Sequence, residues 1–184
     1  MAINYSEGGT SNNGRIIQVV NTADYTRRKY TNFTGNQFVD TYTHVNTTIT
    51  PKLASSKLLF YVDINYGFEN NTGSVFFQIR EGSNVINALN GTGNTYGHRC
   101  FHQRRWSHHA QYQAEYNTKN AVINGQWTDA NNTNARTYKI YVYVQSGGLD
   151  FTINRDGSNS SDSSTGNHSP QTYSNMTIME VSDV

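Results

Sequence analysis

Apolar and polar side chains alternate one by one along several stretches of this chain. The clearest stretch covers residues 57–66, and its apolar face consists of Leu58, Phe60, Val62, Ile64 and Tyr66. Residues 136–145 alternate in the same way, with an apolar face of Tyr138, Ile140, Val142 and Val144. A period of two residues is typical of a β-strand that buries one face. The two stretches therefore predict two strands, each with one side in a core.

Further strands are predicted where Val, Ile, Thr, Tyr and Phe concentrate between polar turns. They span residues 15–24, 38–50, 74–81, 85–89, 149–153 and 173–181, and residues 97–124 are interpreted as two more strands. Gly147 and Gly148 separate strand 136–145 from strand 149–153, which predicts a hairpin. About nine or ten strands without a predicted helix favour an all-β fold, a sandwich or a jelly roll, rather than a βαβ fold.

The chain has 184 residues, enough for one domain with a sizeable core. Residues 1–14 are polar and glycine-rich and predict a flexible arm or anchor, followed by one domain over residues 15–184. The formal net charge of +1 gives no electrostatic case for nucleic-acid binding. No apolar run is long enough to predict membrane insertion. The single cysteine, Cys100, excludes an intramolecular disulfide.

Four aromatic residues fall on strand faces opposite to the predicted core: Tyr61, Phe76, Tyr141 and Tyr143. Several aromatic side chains exposed on one sheet form an apolar patch, which is typical of a partner surface. Burial of each such side chain stabilises an assembly by roughly 1.5–3 kcal/mol. We therefore predict that these residues form the interface of a homotrimer. The alternative is that they pack in a second core layer or lie flat on the surface.

Residues 97–109 carry most of the histidines, together with arginine and tryptophan. The candidate contacts with a protein partner or a glycan in this cluster are Arg104, Arg105, Trp106, His108 and His109. Cys100 and His102 would point the same way on a strand, but their Cys-x-His spacing fits no common zinc pattern. We therefore predict neither a metal site nor a cofactor site. Weak binding of a hard cation by residues 156–162 stays open.

Carboxylates that could serve in acid–base catalysis are scattered along the chain. Asp63, Glu69, Glu81 and Glu115 fall among different strands and turns, so no pair suited to glycoside cleavage can be assigned. A Cys–His nucleophile pair would need a third, orienting group and an oxyanion hole, and the sequence specifies neither. We therefore predict that the protein is not an enzyme.

Short motifs follow one another in order along most of residues 14–181. They are Phe38-Val39-Asp40, Thr48-Ile49-Thr50-Pro51, Ser55-Ser56-Lys57-Leu58-Leu59, Phe76-Phe77-Gln78-Ile79-Arg80-Glu81-Gly82, Tyr138-Lys139-Ile140-Tyr141-Val142, Phe151-Thr152-Ile153-Asn154-Arg155 and Ser174-Asn175-Met176-Thr177-Ile178-Met179-Glu180-Val181. In this order they resemble the motifs of short surface proteins of tailed bacteriophages. The resemblance implies a jelly-roll β-sandwich similar to the trimeric heads of C1q and tumour necrosis factor. Residues 96–124 depart from the family pattern, being richer in His, Arg and Trp.

The same resemblance implies a virion protein made in the host cytoplasm. We expect a homotrimer that decorates or cements the capsid or forms a short head fibre, with capsid or tail proteins as partners. Residues 1–14 would attach it to the particle, and the candidate anchor residues are Ile3, Asn4 and Tyr5. The alternative is a tail-fibre tip that recognises a host surface glycan through Trp106, His108, His109 and residues 156–170.

Overall fold

The computed structural model describes residues 14–33, 37–40, 43–69, 73–91, 99–106, 118–145, 149–155 and 172–182. Within these residues the chain forms β-strands joined by turns, with one short helical turn. The elements are β1 (Ile16–Asp24), β2 (Arg28–Phe33), β3 (Asn46–Ile49), β4 (Lys57–Glu69), β5 (Gly73–Glu81), β6 (Asn84–Val85), α1 (Asn87–Asn90), β7 (His102–Trp106), β8 (Lys119–Asp129), β9 (Arg136–Gln145), β10 (Leu149–Ile153) and β11 (Ser174–Val181).

The strands form two antiparallel sheets. In sheet A the order is β1-β11-β4-β10-β2, and β8 also pairs with β4. In sheet B the order is β3-β9-β5-β6, and β7 also pairs with β5. Over residues 57–63, β4 pairs with β11 along one side and with β8 along the other. The predicted all-β sandwich is thus confirmed, whereas the jelly-roll type and the trimeric state stay predictions.

The two strands with the clearest alternation, β4 and β9, supply the centre of the core. The fully buried side chains of these strands include Leu58, Phe60, Ile64, Tyr66, Tyr138, Ile140 and Val142. The rings of Phe60 and Tyr138, one from each sheet, meet edge to face with their centroids 4.9 Å apart. Each buried side chain of this size contributes about 1.5–3 kcal/mol. The inward faces predicted from the alternation are therefore confirmed.

Two predicted features of the sheets are wrong. The strands β9 and β10 form no hairpin, because β9 pairs with β3 and β5 in sheet B while β10 pairs with β2 and β4 in sheet A. Among the described residues of the predicted strand 38–50, β3 is the one strand, preceded by an isolated bridge between Val39 and Val142. The strand β2 has no counterpart among the predictions, since its sequence shows no alternation and its pairing with β10 defines it.

Residues 85–89, predicted as one strand, instead form the end of β6 and most of α1. The cause is Asn90, whose side chain is fully buried. Its side-chain amide accepts a hydrogen bond from the N–H of Ile79 (2.8 Å) and donates to the carbonyls of Ile79 (2.7 Å) and Ile86 (2.8 Å). These bonds satisfy backbone groups of β5 that a longer β6 would otherwise have paired.

Candidate interaction surface

The outer face of sheet A, which is turned away from the core, carries apolar side chains across four neighbouring strands. They are Val19, Met179, Leu59 and Trp127, from β1, β11, β4 and β8. The register places them side by side, because Val19 pairs with Met179, Met179 with Leu59, and Leu59 with Trp127. We refer to these four residues as the apolar row. Three strand spacings of about 4.8 Å give the apolar row a length of roughly 14 Å.

The two ends of the apolar row are its most open parts. Val19 is 52% exposed and Trp127 is 51% exposed, whereas Met179 and Leu59 are half-buried. The ammonium of Lys57 lies 3.9 Å from the centroid of the Trp127 ring and 3.3 Å from a carboxylate oxygen of Asp129. A cation on an exposed aromatic face contributes about 0.5–1 kcal/mol, so this contact restrains Trp127 at the edge of the sheet.

Among the side chains whose exposure the structure describes, the large exposed apolar ones all lie on or beside sheet A. They are Ile16, Val19, Tyr25, Leu53, Tyr61, Val122, Trp127 and Tyr173. Each lies on a strand of sheet A, in the turn before β4, or directly beside β1 or β11. None of them lies on a strand of sheet B. Such a one-sided concentration is typical of a surface that meets a partner.

Glu180 of β11 joins two of the sequence motifs at one end of sheet A. Its carboxylate is fully buried and accepts hydrogen bonds from the backbone N–H groups of Lys52 (2.8 Å) and Leu53 (2.9 Å). The hydroxyl of Ser56 (2.7 Å) and the side-chain amide of Gln18 (2.6 Å) also donate to it. Burial disfavours the charged form, yet these donors together hold the pKa of Glu180 below its ordinary value. The carboxylate thereby fixes the turn before β4 against β11.

A cavity of about 290 Å³ opens beside this turn. Its lining residues are Arg15, Ile16, Ile17, Lys52, Leu53 and Ser182. The lining combines apolar side chains with two cations, and it lies where the predicted arm meets the predicted domain. The cavity therefore extends the exposed apolar surface of β1 toward the start of the domain.

The four aromatic residues predicted as one interface are divided between the two sheets. Tyr61 is 37% exposed on β4, whereas Phe76 on β5 and Tyr143 on β9 are buried with their ring centroids 5.4 Å apart. Tyr141 is half-buried on β9, and the ring of Phe38 lies 5.4 Å from that of Tyr143. These residues therefore do not form a single surface. Tyr61 shares the sheet of the apolar row, and a role for any of the four in an oligomer stays a prediction.

The predicted partner or glycan contacts fall only partly within the described residues. Arg104, Arg105 and Trp106 end β7, where their backbone pairs with residues 73–75 of β5. Outside the described residues lie His108, His109, the candidate anchor residues Ile3, Asn4 and Tyr5, and the candidate cation loop 156–162. Three of the five candidate contacts thus share one strand, and the contact role of all five stays a prediction.

Cys100 and His102 have surroundings that suit packing. The ring nitrogen Nε2 of His102 lies 2.7 Å from the Tyr66 hydroxyl. Burial raises the pKa of the Cys100 thiol, which disfavours the thiolate that a metal would bind. Among the described residues no three His, Cys, Asp or Glu side chains gather to hold a metal ion. The same residues contain no helix that is long and apolar enough to cross a membrane.

The apolar row has a weak signal in the sequence. Leu59 is recognisable as an outward residue, because alternation along β4 places it opposite the core set. Val19 and Met179 lie beside Leu59 only because β1 and β11, from opposite ends of the chain, pair with each other and β11 pairs with β4. Trp127 comes from the part of β8 that extends beyond the predicted strands. Apolar residues at outward positions of several strands would have indicated such a surface, but their order across the sheet depends on register.

Comparison with known proteins identifies no family for this chain. No protein-family model matches the chain, and no curated protein matches it. Among solved structures, the chain is similar to the crystal structure of infectious bursal disease virus VP2 subviral particle, with a TM-score of 0.37 and 11% sequence identity. The match covers 89% of this chain and 41% of that one, so this chain spans about two fifths of its length. A likeness of this degree assigns neither a family nor a function.

Proposed function

We propose that this protein is a structural component of a virion, a homotrimeric surface protein that decorates or cements a capsid or forms a short head fibre. The observation that carries the proposal is the concentration of exposed apolar side chains on the outer face of sheet A, with the apolar row across its strands. The order of the sequence motifs, which resembles that of short surface proteins of tailed bacteriophages, supports the virion role.

Other copies of the same chain are the occupants that we propose for the apolar row. Its end residues, Val19 and Trp127, are about half exposed, so at about 25 cal/mol per Å² a partner that covers them gains roughly 1–3 kcal/mol from each. The formal net charge of +1 causes little repulsion between copies. Lys57 and Asp129 provide both signs of charge beside Trp127, which suits the polar rim of an interface.

Sedimentation of the full chain tests this self-association. We expect the wild-type protein to sediment as a trimer and Val19→Asp to sediment as a single folded chain, because the variant places a charge in the apolar row that association would bury. The matched control is Asn46→Asp, which adds the same charge at an exposed position on β3 of sheet B. A wild-type protein that stays a single chain at high concentration would overturn the proposal, as would a Val19→Asp variant that still forms trimers.

Labelling of particles with antibodies tests the virion role. We expect label over the capsid of the virus that encodes the protein. Label confined to the tail would replace the decorating role by that of a receptor-binding tip, and unlabelled particles would refute both.

A deletion of residues 1–13 tests the attachment role that we propose for residues 1–14. The deletion variant should still form the oligomer but no longer attach to virus particles. Unchanged occupancy of the variant on particles would contradict the anchor role of these residues.

A further inference from the structure

Two exposed tyrosine rings stack on each other at the end of sheet A that lies away from the apolar row. Tyr25 is 72% exposed and Tyr173 is 49% exposed, and their ring centroids lie 5.3 Å apart with an angle of 30° between the rings. They continue the β1–β11 ladder one position beyond its last pair, Asp24 with Ser174. We call these two residues the tyrosine pair. Six residues of strand separate Tyr25 from Val19, a distance of about 20 Å.

A buried side chain fixes the backbone on both sides of Tyr25. Asn154 is fully buried and has a positive φ of 59°. Its side-chain amide donates hydrogen bonds to the carbonyls of Asp24 (2.7 Å) and Thr26 (3.1 Å), which are the two neighbours of Tyr25. The backbone that carries this exposed ring is therefore held from within the sandwich.

The backbone of Tyr173 is held by the same network. The side-chain amide of Asn65 donates to the carbonyl of Tyr173 (2.6 Å). The hydroxyl of Ser174 donates to Oδ1 of Asn154 (2.7 Å) and accepts a hydrogen bond from the N–H of Asn65 (3.0 Å). One chain of buried polar groups thus joins the supports of both rings. Such preorganisation lowers the entropy that is lost when a ligand binds.

The surroundings of the tyrosine pair are polar and carry charges of both signs, with Arg27 two residues from Tyr25 and Asp63 opposite Asn175 in the sheet. Thr26 follows Tyr25 directly and is exposed, and Asn175 lies two positions along β11 from Tyr173 on the same outward face. Asn21 and Thr177, whose side chains hydrogen-bond to each other (2.8 Å), lie about 13 Å away toward the apolar row. The Asp24 carboxylate beside Tyr25 is paired with the guanidinium of Arg28, which leaves this ion pair without net charge. An exposed aromatic face with amides and hydroxyls around it suits a ligand that has both an apolar face and hydroxyl groups.

We propose that the tyrosine pair is a binding platform for a neutral pyranose saccharide. The C–H face of a pyranose ring carries partial positive charge and stacks on the electron-rich face of the exposed Tyr25 ring. Its hydroxyl groups can exchange hydrogen bonds with the side chains of Thr26 and Asn175, the polar residues beside the two rings. This inference goes beyond the structural role proposed above and does not depend on it.

Saturation-transfer NMR tests the platform with the methyl pyranosides of glucose, galactose, mannose and N-acetylglucosamine as probes. Irradiation of the aromatic protons of the protein should transfer saturation to the ring protons of at least one of these sugars. Tyr25→Ala should weaken that binding about 3- to 10-fold, since one stacking contact is lost. Tyr25→Phe, which keeps the ring, should bind within about twofold of the wild type. Asn46→Asp, which changes an exposed residue on sheet B and should keep the oligomer, is the control for an unrelated surface change.

Each outcome decides the inference. Transfer that depends on the Tyr25 ring and survives Asn46→Asp supports the platform. Absence of transfer from all four sugars overturns it, as does transfer that Tyr25→Ala leaves unchanged. Trimers that dissociate on Tyr25→Ala without any transfer would show that another copy covers the tyrosine pair, which also overturns it. Sedimentation of the wild type judges the proposed assembly separately, so the two ideas can fail independently.

Discussion

Asn154 does two things that few other residues could do at its position. Its backbone lies in the left-handed region, where asparagine is tolerated better than most residues, and its buried amide makes hydrogen bonds with three partners. The positive φ ends β10 with a turn toward residue 155, while the side chain ties that turn to the end of β1. Together with Asn65, Asn154 therefore fixes the backbone that carries the tyrosine pair.

Replacement of Asn154 tests that dependence. We expect Asn154→Ala to lower the free energy of unfolding by about 2–4 kcal/mol, because it removes the side-chain hydrogen bonds and strains a left-handed position. Asn154→Gly also loses the bonds but relieves the backbone, so it should be about 1 kcal/mol more stable than the alanine variant. Denaturant unfolding measures both. Losses below about 1 kcal/mol in both variants would show that the network contributes little.

Tyr138 presents the opposite situation, a buried hydroxyl without a hydrogen-bond partner among the described residues. Burial raises the pKa of this hydroxyl, in agreement with an apolar environment. Since an unsatisfied buried polar group is unfavourable, Tyr138→Phe should raise the free energy of unfolding by about 1 kcal/mol and the melting temperature by about 2–4 °C. Tyr66→Phe is the matched control, because its hydroxyl is bonded to His102. It should lose stability, and a loss in Tyr138→Phe as well would contradict the reasoning.

At the scale of elements, the turn before β4 depends on one carboxylate. Glu180 accepts hydrogen bonds from three donors in this turn and one on β1, and its folded pKa lies below the ordinary value. A carboxyl group with a lowered folded pKa stabilises the fold above its unfolded pKa of about 4.3, and that contribution is lost as the pH falls through the folded pKa. The turn should therefore loosen in acid.

Glu180→Gln separates this contribution from the rest of the protein. At neutral pH the variant should lose about 1.5–3 kcal/mol of unfolding free energy, since bonds to a charged acceptor are the stronger ones. Between neutral pH and about pH 3 its stability should fall less than that of the wild type. Ser56→Ala, which removes one donor and keeps the carboxylate, should retain most of the wild-type pH dependence. Parallel acid profiles for wild type and Glu180→Gln would argue against this role.

Alternation along a strand is a local property, and it predicted the core faces of β4 and β9 correctly from residues such as Phe60 and Ile140. The identity of the neighbouring strand, by contrast, is not a local property of the sequence. The Gly147–Gly148 pair suggested a hairpin, but the sandwich places β9 and β10 in different sheets. Phe76 is correctly placed on the face opposite its strand's core set, yet the chain buries it against Tyr143. Register and covering segments are set by contacts between distant residues, which alternation does not encode.

At the scale of the whole molecule, the outer faces of the two sheets differ in how far the chain itself covers their aromatic and apolar side chains. On sheet B the chain covers its own outer face in part, with Phe38 against Tyr143 and the guanidinium of Arg80 4.4 Å from the centroid of the Tyr141 ring. On sheet A the apolar row stays open in the single chain. Phe76, one of the four residues predicted at an interface, is buried within the single chain, and its role in an oligomer stays a prediction. Exposed apolar side chains on one sheet again indicate a partner surface, but the structure places them on the outer face of sheet A. Tyr61 belongs both to the four predicted residues and to this face.

Association through the apolar row should make the heat stability of the protein depend on its concentration. A partner that binds only the folded chain stabilises it by mass action, so a tenfold rise in the concentration of a trimer adds about 1 kcal/mol per chain and about 2–4 °C to the melting temperature. Val19→Asp should abolish this dependence, whereas Asn46→Asp should keep it, since Asn46 lies on sheet B. Calorimetry at several concentrations measures the effect. A wild-type melting temperature that does not change with concentration would mean that the open face of sheet A is not covered by copies of this chain.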